Sequence, residues 1–79
     1  MKGKISAIIK RRSPESRDGG FGFIIDEEGN ERFFHARHLY PKSLQARFES
    51  LTEGLEVTFN PINVPGRGNG LRAEHVELV

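Results

Sequence analysis

The chain has 79 residues, a formal charge of +1 and no cysteine. That limits it to one small domain, 1–79, with neither disulfides nor a thiolate metal site to hold it together. Met1-Lys2-Gly3-Lys4 is not followed by a signal-type apolar stretch, and the longest apolar run, Phe21 to Ile25, is far below the roughly 20 residues of a membrane helix. The expectation is a cytoplasmic domain with an economical core.

Gly and Pro divide the chain into short alternating segments, the pattern of an all-β domain. A first strand is read over Lys4 to Lys10, with Ile5, Ala7 and Ile9 on one face and Ser6 and Ile8 on the other. Arg11 to Gly19 holds no apolar residue except Pro14 and reads as a loop. Two strands, Gly20 to Asp26 and Glu31 to Ala36, flank the turn Glu27-Glu28-Gly29-Asn30, where Gly29 is the natural site of positive φ. Beyond Arg37 the period changes. Leu44, Phe48 and Leu51 fall at i, i+4 and i+7 behind Pro41 and a candidate N-cap, Ser43, which predicts a short helical turn. Leu55 to Asn60 alternates as a fourth strand, Asn63 to Gly70 is a hairpin tip, and Leu71 to Leu78 is a fifth strand. Five strands with a longer break between the third and fourth fit an antiparallel OB-type Greek-key barrel, which leaves no edge strand unpaired.

The near-neutral total conceals segregation. Residues 1–17 carry six cations (Lys2, Lys4, Lys10, Arg11, Arg12, Arg17) against Glu15, and residues 26–31 carry Asp26, Glu27, Glu28 and Glu31. Arg32, Arg37, Lys42 and Arg47 follow without opposition. Two basic blocks parted by an acidic turn could meet on one side of a barrel and attract a polyanion; the simpler alternative is that each is a solvated face.

Aromatic residues concentrate on the central hairpin. Alternation puts Phe21, Phe23 and Ile25 on one face of the second strand and Gly22, Ile24 and Asp26 on the other. On the third strand Phe33 and His35 share a face and Phe34 points the opposite way. Phenylalanines are ordinarily core residues. Here Ile5, Ile24 and Phe34 already supply an inner face, and Gly22 between two phenylalanines marks a tight curve or a close approach. The barrel can therefore be filled without Phe21, Phe23 and Phe33; if they face outward they form a stacking platform, on which each stacked base is worth roughly 1–3 kcal/mol.

Gly20-Phe21-Gly22-Phe23-Ile24 resembles the first RNP-type motif of cold-shock domains, and Phe33-Phe34-His35 resembles the second. The stretch from Phe48 to Phe59 is similar to the family's loop and fourth strand, with its Leu-x-x-Gly and Val-x-Phe. The opening Gly3-Lys4-Ile5 and the closing Ala73-Glu74-His75-Val76 also line up. The resemblance implies a barrel that binds single-stranded RNA or DNA, with stacking aromatics at Phe21, Phe23, Phe33 and Phe48 and a base-contacting His35. Several positions depart from the pattern. Ala7 and Ile8 stand where the family has tryptophan and phenylalanine, Ala36 replaces the aromatic after the histidine, and Ser6 and Gly19 replace basic residues. A platform short of two or three rings binds more weakly. Lys10, Arg11, Arg12 and Arg17 of a first loop longer than the family norm, with Arg37 after the second motif, could compensate, because arginine contacts phosphate bidentately and stacks on bases; the alternative is a solvated insertion only, and Arg67 reads as a hairpin-tip residue near the nucleic acid.

Other chemistry finds little support in the sequence. His35-x-x-His38 is poor metal spacing off a helix, and Gly66-Arg67-Gly68-Asn69-Gly70 lacks the Lys-Ser/Thr and the helix of a phosphate loop. The expectation is a non-enzymatic RNA chaperone without metal or cofactor. The alternative is a protein-interaction or homodimerisation module on the same scaffold, its nucleic-acid face eroded at Ala7, Ile8 and Ala36.

Overall fold

The structure is a computed structural model describing residues 1–10, 20–64 and 70–79, apart from the side chains of Lys10 and Glu49. Five strands, β1 (Lys2–Lys10), β2 (Gly20–Asp26), β3 (Glu31–His35), β4 (Glu56–Asn63) and β5 (Leu71–Leu78), close into a barrel in the order β1-β2-β3-β5-β4. This is the expected all-β OB-type barrel. Its pairings are antiparallel except where β3 meets β5, side by side and parallel at Phe33 and Arg72.

β4 continues past Asn60, where the sequence reading ended it, through Pro61 to Asn63. β1 pairs with β4 only over Glu56 to Thr58, so from Pro61 onward the strand has its ladder on the β5 side alone. A residue without an N–H is tolerated there.

The crossing from β3 to β4 is more broken than one helical turn. It comprises a 3-10 turn at Ala36–His38, a four-residue α-turn α1 (Lys42–Gln45) and a second 3-10 turn at Phe48–Ser50. Pro41, not Ser43, is the N-cap of α1, and no side chain caps it. Gln45 instead ties α1 back, its Nε2 donating to the carbonyls of Arg37 at 2.9 Å and Leu39 at 3.1 Å. Leu44, Phe48 and Leu51 all turn inward as their spacing predicted, and they close the barrel as a plug.

The core consists of Ile5, Ile24, Phe34, Val57, Phe59, Ala73 and Val76 from the strands, with Ala36, Leu39, Leu44, Phe48 and Leu51 from the crossing. Two irregularities set which side chains reach it. In β1 the register with β2 shifts between Ile5 and Ala7, so that Ile5 faces Ile24, Ala7 faces Phe23 and Ile8 faces Gly22. The extra residue, Ser6, reverses the alternation. Ile5 and Ile8 therefore both lean on the core, and Ala7 and Ile9 lie on the outer side with Phe23 and Phe21. The sequence reading had put Ile5, Ala7 and Ile9 together; the bulge separates them. In β5 a second shift opposite Thr58 and Asn60 surrounds His75, whose φ of 51° is the left-handed conformation found at many bulges.

Gly22 shows the packing most sharply. A Cβ there would stand 2.7 Å from the Ala7 carbonyl oxygen and 2.7 Å from Cε1 of Phe34. The missing side chain makes room for the fully buried Phe34 ring, so the close approach that Gly22 permits is made by the core.

Candidate nucleic-acid interface

The outward alternation of β2 and β3 brings Phe21, Phe23 and Phe33 into one cluster. The register sets Phe23 opposite Phe33 and Phe21 opposite His35. Ring centroids of Phe21 and Phe33 are 5.5 Å apart at 31°, while Phe23 stands edge-on to both at 6.0 Å. All three rings are partly exposed and absent from the core, whose inner wall is filled by Ile24 and Phe34. Ala7 and Ile9 extend this face across β1, and Ile9 is 44% exposed. The sequence had left Ile9 out of the candidate site, although alternation from Ala7 was enough to find it.

His35 stands at the end of the platform, in a short network. Its Nδ1 accepts the N–H of Arg37 at 3.1 Å, and its own backbone N–H donates to Nδ1 of His38 at 3.2 Å. Both rings thus use Nδ1 as an acceptor, which in the neutral state leaves the proton on Nε2. Burial, then the charges of Arg37, His35 and Arg72, push the His38 pKa below the usual imidazole value, against a smaller opposing pull from Glu74. The third histidine is elsewhere. His75 stacks on the half-exposed Tyr40 at 4.2 Å, with Nε2 3.0 Å from Glu77 Oε1.

Phe48 does not join the platform. It is 2% exposed, edge-on to Phe34 at 6.4 Å, because the Phe48–Ser50 turn points it under the barrel. That burial corrects the stacking role carried over from the resemblance.

The basic candidates separate too. Arg37 is exposed beside His35. Arg11, Arg12 and Arg67 lie outside the described residues, as does the Lys10 side chain. Arg32, counted with the second basic block, is buried and forms an ion pair with Asp26 at 2.8 Å, so neither contributes charge to the surface. The cation the sequence passed over is Arg72. The parallel β3–β5 contact lays its Cζ 4.5 Å from the centroid of the Phe33 ring. Its place on the outer side of β5 was implied by the inward Ala73, but its neighbour across a parallel seam was not.

Residues 15–79 match the family described as the 'Cold-shock' DNA-binding domain. The chain belongs to the cold-shock domain family. It is similar to the major cold shock protein CspA of Pseudomonas aeruginosa, at 42% identity over 60 residues, which are 76% of this chain and 77% of that protein. No solved structure matches at a significant level. The family match begins after β1, the strand on which Ser6, Ala7 and Ile8 depart from the cold-shock pattern. Membership in the family supports nucleic-acid binding in general. Among the described residues no helix is long and apolar enough to cross a membrane, and no group of three or more His, Asp or Glu is placed to hold a metal ion.

Proposed function

We propose that this cold-shock domain binds single-stranded RNA or DNA and serves as a cytoplasmic RNA chaperone, without catalysing a reaction. The observation that carries this reading is the contiguous Phe21, Phe23 and Phe33 cluster on the outer wall of a barrel whose interior is already filled. Rings so placed offer π-faces to unpaired bases and tolerate any base sequence. His35 lies across from Phe21 and extends the path, and Arg37 offers a phosphate contact at its end. Lys10, Arg11, Arg12 and Arg67 are proposed to track the backbone as well. Binding the open strand depletes paired conformers by mass action and needs no fuel.

Fluorescence anisotropy with labelled oligo(dT) and oligo(U) tests this. Binding should weaken with salt. Changing Phe21 and Phe33 together to Ala should raise Kd by about 30-fold or more, from at least roughly 1 kcal/mol lost per stacking ring. A double variant that binds like the unaltered protein would exclude the platform, and no binding at low salt would favour the protein-interaction alternative.

A further inference from the structure

The Phe33 ring is not bare. The Arg72 guanidinium lies 4.5 Å from its centroid, the place a stacked base would take, and a cation over an aromatic face is attracted by the ring quadrupole. The backbone beneath Arg72 is fixed on both sides. Arg72 is in register with Phe33 of β3 and with Ile62 of β4, and its carbonyl accepts from Arg32 Nη1 at 3.1 Å. Arg32 in turn is held by Asp26, buried in the barrel. The stem of Arg72 is thus pinned, and this partly buried residue sets its head over Phe33, in a platform whose three rings all touch one another.

We propose that Arg72 is an exchangeable cap on Phe33. In the free protein its guanidinium covers the ring; on binding, a nucleobase takes that position and the guanidinium swings to a phosphate of the same strand. The inference rests on the single-strand reading above. Guanidinium suits both places, since its plane stacks on an aromatic face and its paired N–H groups match phosphate oxygens. The cap also sets selectivity: a ligand lacking phosphates must lift the cation from Phe33 with nothing to receive it. Lifting alone costs about two- to five-fold in affinity.

The test is oligo(dT) binding across a salt series for the unaltered protein, Arg72→Gln and Arg72→Lys, together with the Arg72 Nε–Hε signal in a proton–nitrogen correlation spectrum. Arg72→Gln should flatten log K against log[salt] by about 0.7, the value of one single-strand phosphate contact. Its affinity deficit should vanish or reverse, by up to about five-fold, at high salt where the phosphate contact is screened. Arg72→Lys should keep the slope. The Arg72 signal should be shifted upfield by the Phe33 ring in the free protein and should leave that position at saturation. An unchanged slope in Arg72→Gln, or an Arg72 signal that stays put while oligo(dT) binds, would overturn the exchange and leave the platform standing. Failure of the unaltered protein to bind would overturn both.

Discussion

Phe48 and Phe21 carry the same side chain and differ only in their surroundings, which makes them the sharpest residue-scale contrast in the molecule. Phe48 is enclosed by the plug beneath the barrel, edge-on to Phe34. Phe48→Ala should lower the unfolding free energy by about 3–5 kcal/mol in urea denaturation, as the lost burial and a residual cavity add. Phe21→Ala removes a partly exposed ring and should cost clearly less stability while weakening oligonucleotide binding. The opposite ranking in stability would mean that the two rings have been assigned to the wrong sides of the wall. Alternation alone placed Phe21, Phe23, Phe33 and Phe34 on their proper sides, because their hairpin keeps an unbroken register. Phe48 was misread because the resemblance gave it a stacking role, although its spacing with Leu44 and Leu51 already placed it on their inward side. Arg72 was hidden for another reason: its partner Phe33 is nearly 40 residues away across a parallel contact.

At the scale of elements, β1 decides how much platform the protein has. The Ser6 bulge turns Ala7 onto the outer wall opposite Phe23, at the position where the cold-shock pattern has tryptophan. Ala7→Trp should therefore add a ring beside Phe23 and tighten oligo(dT) binding about ten-fold, from roughly 1–3 kcal/mol per stacked base. If its affinity is unchanged, the strand does not reach β1. On the same strand pair, Gly22→Ala should destabilise by about 1–3 kcal/mol, since the new methyl meets the Ala7 carbonyl and the Phe34 ring at 2.7 Å. A thermal melt that does not move would show that Phe34 has space to retreat. Strand positions were legible from Gly, Pro and turn residues: β2 and β5 have the bounds that the sequence reading gave them. The bulges were not legible. One inserted residue leaves no mark on composition, and it changes the facing of every residue after it.

For the molecule as a whole, the buried Asp26–Arg32 pair joins the two hairpins. Asp26 Oδ1 accepts the N–H groups of Glu28 and Asn30 at 2.9 Å, so the same carboxylate shapes the β2–β3 turn and holds Arg32. Arg32 then reaches the carbonyls of Ile62 and Arg72, which fastens β3 to the β4–β5 hairpin. Burial alone would raise the Asp26 pKa, but the Arg32 hydrogen bond and the two backbone donors outweigh it and hold the group below the ordinary carboxylate value. A depressed folded pKa means that the unfolded chain takes up the proton first as pH falls. The stabilisation is complete above about pH 3.9 and is lost as pH drops through the lower folded value. Asp26→Asn should lower stability by about 3 kcal/mol at neutral pH, by leaving the Arg32 charge buried without its counter-ion. It should also flatten the acid limb of stability against pH in urea unfolding between pH 2 and 6. An acid limb parallel to that of the unaltered protein would show that the pair does not govern acid unfolding. In the sequence these two residues had read as members of opposed surface blocks, because composition records charge and not burial.

The claim on which the rest depends is that bases stack on the outer rings, and aromatic proton spectra during titration with oligo(dT) address it most directly. Ring protons of Phe21, Phe23 and Phe33 should move upfield as bases stack over them, while those of the buried Phe34, Phe48 and Phe59 stay in place. Saturable binding that leaves the three outer rings unshifted would contradict the account.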